Sequence, residues 1–109
     1  MEVNFKGLSF VVDHNDYQEF WDNFNNWENK DLNFVIEKAE KDKIFIDIGA
    51  WIGPYTLLAA KLGMKVYAFE PDKVAFEVLK KNIQLNEFKH TPKIFNFGLS
   101  KKENITYLY

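Results

Sequence analysis

Residues 45–72 read FIDIGAWIGPYTLLAAKLGMKVYAFEPD, and the order of residue types in this stretch decides the fold. An apolar run ends at Asp47, a turn with two glycines follows, and a second apolar run ends at another acid, Glu70. Ile44–Ile48 is short and nearly continuous in its hydrophobicity, the pattern of a parallel strand covered on both faces. Beyond the turn, Pro54 occupies a helix's first turn, where a missing N–H costs nothing, and Gly63 supplies the left-handed residue that closes a helix. Val66–Phe69 then forms the next strand. The stretch therefore predicts strand, turn, helix, strand.

Outward from it, Asp72 caps a helix bearing Val74, Ala75, Val78, Leu79 and Ile83, Lys93–Phe97 makes a third strand, and Ile105–Leu108 a short one after a turn over Ser100–Asn104. Strands alternating with helices imply right-handed crossovers and a parallel sheet. Upstream, Leu8–Val12 reads as a strand and residues 17–27 as a helix. Asp16 caps that helix, Glu19 completes a capping-box pair, and Phe20, Trp21, Phe24 and Trp27 form a stripe expected to face the core. Leu32–Glu40 is a further amphipathic helix. The predicted organisation is an N-terminal segment of one strand and helices over residues 1–42, followed by a cofactor-binding region over 43–109.

The chain has 109 residues, 47% of them hydrophobic and 17% aromatic, enough for one small domain with an aromatic-rich core. Net charge is -2 and all 14 basic residues are lysine, so no guanidinium is present to grip phosphate with two prongs. On that composition no nucleic-acid partner is expected. There is no cysteine, which excludes disulfides and thiolate metal sites, no metal site is expected, and no apolar stretch approaches membrane-spanning length. A cytoplasmic protein without membrane contact is the expectation.

In a doubly wound sheet the ligand lies beyond the carboxyl ends of the strands, where Asp47, Gly49 and Glu70 fall. Gly49 permits a sharp turn and a close approach to ligand, and Gly53 close packing at the start of the helix. Glu70 is positioned to accept hydrogen bonds from the two hydroxyls of an unphosphorylated ribose. The glycine spacing, G-A-W-I-G, departs from the G-x-G-x-x-G of dinucleotide folds and disfavours a nicotinamide cofactor. Asp47 would be awkward beside pyrophosphate but suits fixing loop amides or a cationic amino-acid moiety, which S-adenosylmethionine possesses. His14 and His90 are isolated beside turn residues and read as surface or structural groups. Ser100 and Lys101 follow the third strand and read as turn residues.

The runs DIGAWIGPYTL, VYAFEPD and FEVLKKNIQLN resemble the FkbM family of S-adenosylmethionine-dependent methyltransferases over about residues 20–109, with Glu70 and Asn86 the most specific positions. The resemblance implies an incomplete Rossmann-like methyltransferase fold of the α/β class, with about three parallel strands. It also implies methylation of a hydroxyl on a small molecule or sugar. By it, Asp47, Gly49, Ala50 and Gly53 correspond to the first cofactor motif, Glu70 to the ribose-binding acid, and Thr56 to the threonine after the motif. Trp51 stands where many members carry asparagine, and either lines the methionine end of the cofactor or packs. The sequence stops before the family's fourth strand, so no catalytic residue is predicted. Ile44–Ile48 is then expected as an edge strand that self-associates or takes a complementing chain. The alternative function is a non-catalytic module that binds a nucleoside or a protein.

Overall fold

Two residues with positive φ, Lys6 at 50° and Gly7 at 84°, start the structure by closing a two-residue hairpin. They join β1 (Glu2–Phe5) to β2 (Leu8–Val11), with Phe5 opposite Leu8. Alternation then buries Val3, Phe5 and Phe10, with Val12 just beyond β2, each contributing about 1.5–3 kcal/mol. The strand at Leu8 was expected; its partner at Glu2–Phe5 was not. The structure, a computed structural model, describes residues 1–24, 29–99 and 105–106.

The first helix is shorter than its aromatic pattern predicts: α1 covers Gln18–Asp22, and Trp27 lies outside the described residues. Its N-cap is Tyr17, which makes no side-chain cap bond, so the predicted Asp16 cap is corrected. Trp21 and Phe24 are buried and meet Phe10 edge-on at ring-centroid distances of 6.0 Å, so the stripe does face the core. Helix α2 (Asn29–Lys38) begins earlier and ends sooner than the predicted 32–40, and seals one flank with Leu32.

The central sheet has the order β3-β4-β5, with β3 (Ile44–Ile48), β4 (Lys65–Phe69) and β5 (Lys93–Phe95) all parallel. Helix α3 (Pro54–Lys61) follows β3, with Pro54 in the first turn as expected, and Gly63 closes the connection at φ 85°. Helix α4 (Lys73–Gln84) follows β4, and its N-cap Asp72 accepts from the Ala75 amide at 2.8 Å, as predicted. The third strand is two residues shorter than 93–97. Beyond it, Gly98–Leu99 (β6) pairs antiparallel with Ile105–Thr106 (β7). This is the incomplete Rossmann-like methyltransferase fold of the α/β class.

One hydrophobic cluster runs from Val3 and Phe5 through Trp21 and Leu32 to Leu57, Val66, Leu79 and Ile83. Val66 and Ala68 of β4 point into it, and Lys65, Tyr67 and Phe69 point to the other face of the sheet. On that face Ile44, Ile46 and Ile48 are 61%, 59% and 64% exposed, so β3 is not covered on both sides as its nearly continuous hydrophobicity suggested.

Candidate cofactor site

The turn after β3 is held by the end of β4. Gly49 N–H and Ala50 N–H both donate to the Phe69 carbonyl, at 2.8 and 3.0 Å, and Trp51 N–H donates to Glu70 Oε1 at 2.7 Å. Glu70 Oε2 accepts from Asp72 N–H at 2.8 Å, so one carboxylate ties the turn to the cap of α4. Asn96 fixes Glu70 from behind by donating to the Glu70 and Pro71 carbonyls, at 2.9 and 3.2 Å. The acid expected to fix the loop amides was Asp47. The structure gives that work to Glu70, because Asp47 points inward to α3 and accepts from Thr56 Oγ1 at 2.6 Å.

Asp47 and Thr56 are both buried. Burial pushes the Asp47 carboxyl above its ordinary value, the Thr56 hydroxyl pulls it back, and the nearby Glu70 adds to the push. Thr56 thus satisfies the group that closes β3 against the first turn of α3.

The two glycines of the turn are used differently. Gly53 has φ 108°, and a Cβ there would lie 2.8 Å from Leu79 Cδ1, so α3 and α4 approach over a missing side chain. Gly49 has φ 73° with nothing within 4 Å of a Cβ, and it is exposed, so its bare side is open to a ligand. Ala50 is buried beneath the turn.

Trp51 is the residue least at ease here. Its φ of 56° is left-handed, a conformation that costs a bulky residue about 1–2 kcal/mol and that asparagine adopts more readily. Besides the Glu70 bond, the edge-on rings of Phe20 and Tyr17 hold it, at centroid distances of 4.8 and 5.7 Å. The half-buried Trp51 ring therefore packs, and also stays partly open beside the turn.

A second set of side chains was not foreseen as a unit. Asn82 of α4 is wholly buried; its Oδ1 accepts from Asp13 N–H and its Nδ2 donates to the Ile52 carbonyl, both at 2.8 Å. Asn86 exchanges two 2.7 Å bonds with the backbone of Val11. These asparagines stitch the hairpin to α4 and to the turn, and Lys81 adds an ion pair to Asp13 at 2.8 Å. The available signal was two asparagines four apart in KKNIQLN, one of them at an inward position of an amphipathic helix. His90 lies away from the turn, 2.7 Å from Asp42. Ser100 and Lys101 fall outside the described residues.

The acceptor set has the chemistry to take a vicinal diol such as that of a ribose. Each Glu70 oxygen holds one amide, and a carboxylate has about four acceptor positions, so one per oxygen remains for a diol. The open side of Gly49 lies in the same turn. No helix of the described residues is long and apolar enough to cross a membrane.

The sequence profile of the TRM5/TYW2 methyltransferase domain matches residues 3–99. The chain belongs to this family. The resemblance to FkbM is corrected accordingly: the motifs it rested on mark S-adenosylmethionine methyltransferases as a class. The chain is 36% identical over 56 residues to tRNA (guanine(37)-N(1))-methyltransferase Trm5b of Methanocaldococcus jannaschii, a match covering 51% of this chain and 16% of that protein. It resembles M. jannaschii Trm5 solved in complex with adenosine, with TM-score 0.51 and 25% identity over 84% of this chain and 27% of the other. It shares its fold with the Pyrococcus abyssi tRNA (uracil-54, C5)-methyltransferase solved with S-adenosyl-L-homocysteine, with TM-score 0.57 and 18% identity over 87% and 23% of the two chains. The chain thus spans about a quarter or less of the length of these relatives.

The cofactor class of the family is the one the turn predicted, S-adenosylmethionine. One expectation is overturned and one is left without support. Relatives named as tRNA methyltransferases contradict the exclusion of nucleic acid, and nothing in these relatives supports O-methylation of a small molecule or sugar. The expectation rested on net charge and on the absence of arginine, neither of which records how lysines are grouped on the folded surface.

Proposed function

We propose that this TRM5/TYW2-family chain carries the S-adenosylmethionine-binding portion of an enzyme that methylates guanine in tRNA. The observation that carries the reading is the family match across residues 3–99, supported by the tRNA guanine methyltransferase at 36% identity. When bound, the cofactor supplies a methyl group made electrophilic by the neighbouring sulfonium. Glu70 accepts the ribose hydroxyls on the acceptor positions its amide bonds leave free. Gly49, whose bare side is open, would let the cofactor approach the backbone of the turn, Ala50 supports the turn from beneath, and Gly53 keeps it in register with α4. Asp47 and Thr56 set the end of β3, and the Trp51 ring borders the methionine end. A nucleobase acceptor needs alignment behind the methyl more than it needs covalent help, so a preset turn suits this chemistry. No residue is assigned as the catalytic base.

Calorimetric titration with S-adenosylmethionine, and separately with NADH, tests the reading. Saturable binding of the first is expected, and Glu70→Ala weakens it by about 1.5–3 kcal/mol, roughly 10–150-fold. Glu70→Gln, which keeps an acceptor for the Trp51 amide, separates ligand loss from turn loss in a parallel melting experiment. Binding of NADH in preference would sink the proposal, and radiolabelled methyl transfer to a tRNA transcript by the intact enzyme tests the acceptor.

A further inference from the structure

The amino ends of the three parallel strands lie opposite the proposed cofactor turn, and lysines gather there. Lys41 and Lys43 lead into β3, Lys65 begins β4 and Lys93 begins β5; all four are exposed. Because the strands are parallel, these positions share one edge. The segments 41–44, 61–65 and 87–93 that form it hold six lysines against two carboxylates, Asp42 and Glu87, in a chain whose net charge is -2.

One of the two acids is already engaged. Asp42 Oδ1 pairs with Lys89 Nζ at 2.8 Å and with His90 Nε2 at 2.7 Å. Lys41, Lys43, Lys65 and Lys93 form no ion pair among the described residues. Lys65 and Lys93 stand on the same face of the sheet, since Tyr67, two residues after Lys65, is level with Lys93. Lys93 Nζ rests 5.6 Å from the Tyr67 ring centroid, which pre-orders its ammonium. Together with Tyr67, His90 and Thr91 they line an open cavity of about 320 Å³, with a hydroxyl donor beside two unpaired cations. Such a set recognises phosphate oxygens through charge and hydrogen bonding without reading bases.

We propose that this edge is a docking surface for the phosphate backbone of RNA, centred on Lys65 and Lys93. The inference rests on the tRNA reading above and adds where the polyanion is gripped. Strand β4, five residues at about 3.3 Å each, separates the two ends by roughly 16 Å. One RNA backbone can therefore lie along the basic edge while a base reaches the carboxyl ends.

The test is fluorescence anisotropy of a labelled tRNA transcript with this chain over a salt series, for the wild type and for Lys65→Gln combined with Lys93→Gln. Each lost phosphate contact lowers the slope of log K against log salt by about 0.7–0.9, so the double variant loses between about 1.4 and 1.8 and binds at least about tenfold more weakly at low salt. The pair Lys65→Arg and Lys93→Arg retains the slope, and S-adenosylmethionine binding by calorimetry is unchanged in both. An unchanged slope in the glutamine variant overturns the docking surface while leaving the tRNA reading intact. A wild type that binds S-adenosylmethionine but no RNA at any salt overturns both for this chain.

Discussion

At the carboxyl ends of β3 and β4 the amides of Gly49, Ala50 and Trp51 all have protein acceptors, and the two acids there each hold protein donors. At the amino ends of the same strands the charged groups mostly face solvent, joined by one exposed cluster around Asp42. The contrast is between polar groups spent on shape and polar groups left free. A turn that must present backbone to a small ligand needs preset geometry, whereas an edge that meets a polyanion needs charge and little else. Substitutions can break each end separately.

The largest loss is expected from Asn82→Ala, which strands the Asp13 amide and the Ile52 carbonyl and loosens the carboxyl-end turn. Its expected cost is about 2–3 kcal/mol, read as a midpoint shift in urea unfolding. A shift below about 0.5 kcal/mol would show that the hairpin is held by its apolar side chains alone. Next comes the pair of turn glycines. Gly53→Ala combines φ strain with a contact on Leu79 and should cost about 2 kcal/mol, whereas Gly49→Ala carries strain alone, about 1 kcal/mol. Equal costs would remove the distinction between packing and ligand-approach glycines.

The smallest effect sharpens the comparison by sign. Asp47 has its pKa raised on folding, so its contribution to stability is present at low pH and lost as pH rises through the folded value. Asp42 is the reverse: hydrogen bonding to Lys89, then His90, lowers it to about 2, so its contribution is present above the ordinary value near 3.8 and lost as pH falls towards 2. Asp47→Asn and Asp42→Asn should therefore flatten the stability profile from opposite sides, as measured by urea midpoints from pH 2 to 7. Profiles tilted the same way would contradict the assignment of burial to one end and ion pairing to the other.

The parts legible in the sequence were those with punctuation. Pro54, Gly63 and Asp72 mark helix ends through local sterics and one capping bond, so α3, α4 and the strand β4 between them were readable in place. Strand β1 was not, because VNF is a short alternation whose meaning depends on pairing with Leu8–Val11. The nearly continuous run at Ile44–Ile48 carried no information about which face is covered. Glu70 stood out as an acid at a strand end, but its grip on the Trp51 amide depends on a turn conformation that no spacing reveals. The proposed basic edge was not legible for a related reason: lysines that start separate strands converge only after the sheet forms.

The bonds from Asn86 to Val11 join residues 75 positions apart, and they set a timetable for synthesis. At about 5–20 residues per second the hairpin waits roughly 4–15 s after its own emergence before Asn86 is made. During that interval the Val11 N–H and carbonyl lack the Asn86 amide that pairs with both in the finished fold. The nascent hairpin is consequently a segment for which chaperones and premature partners compete, and slower translation of the region encoding α4 would lengthen that competition.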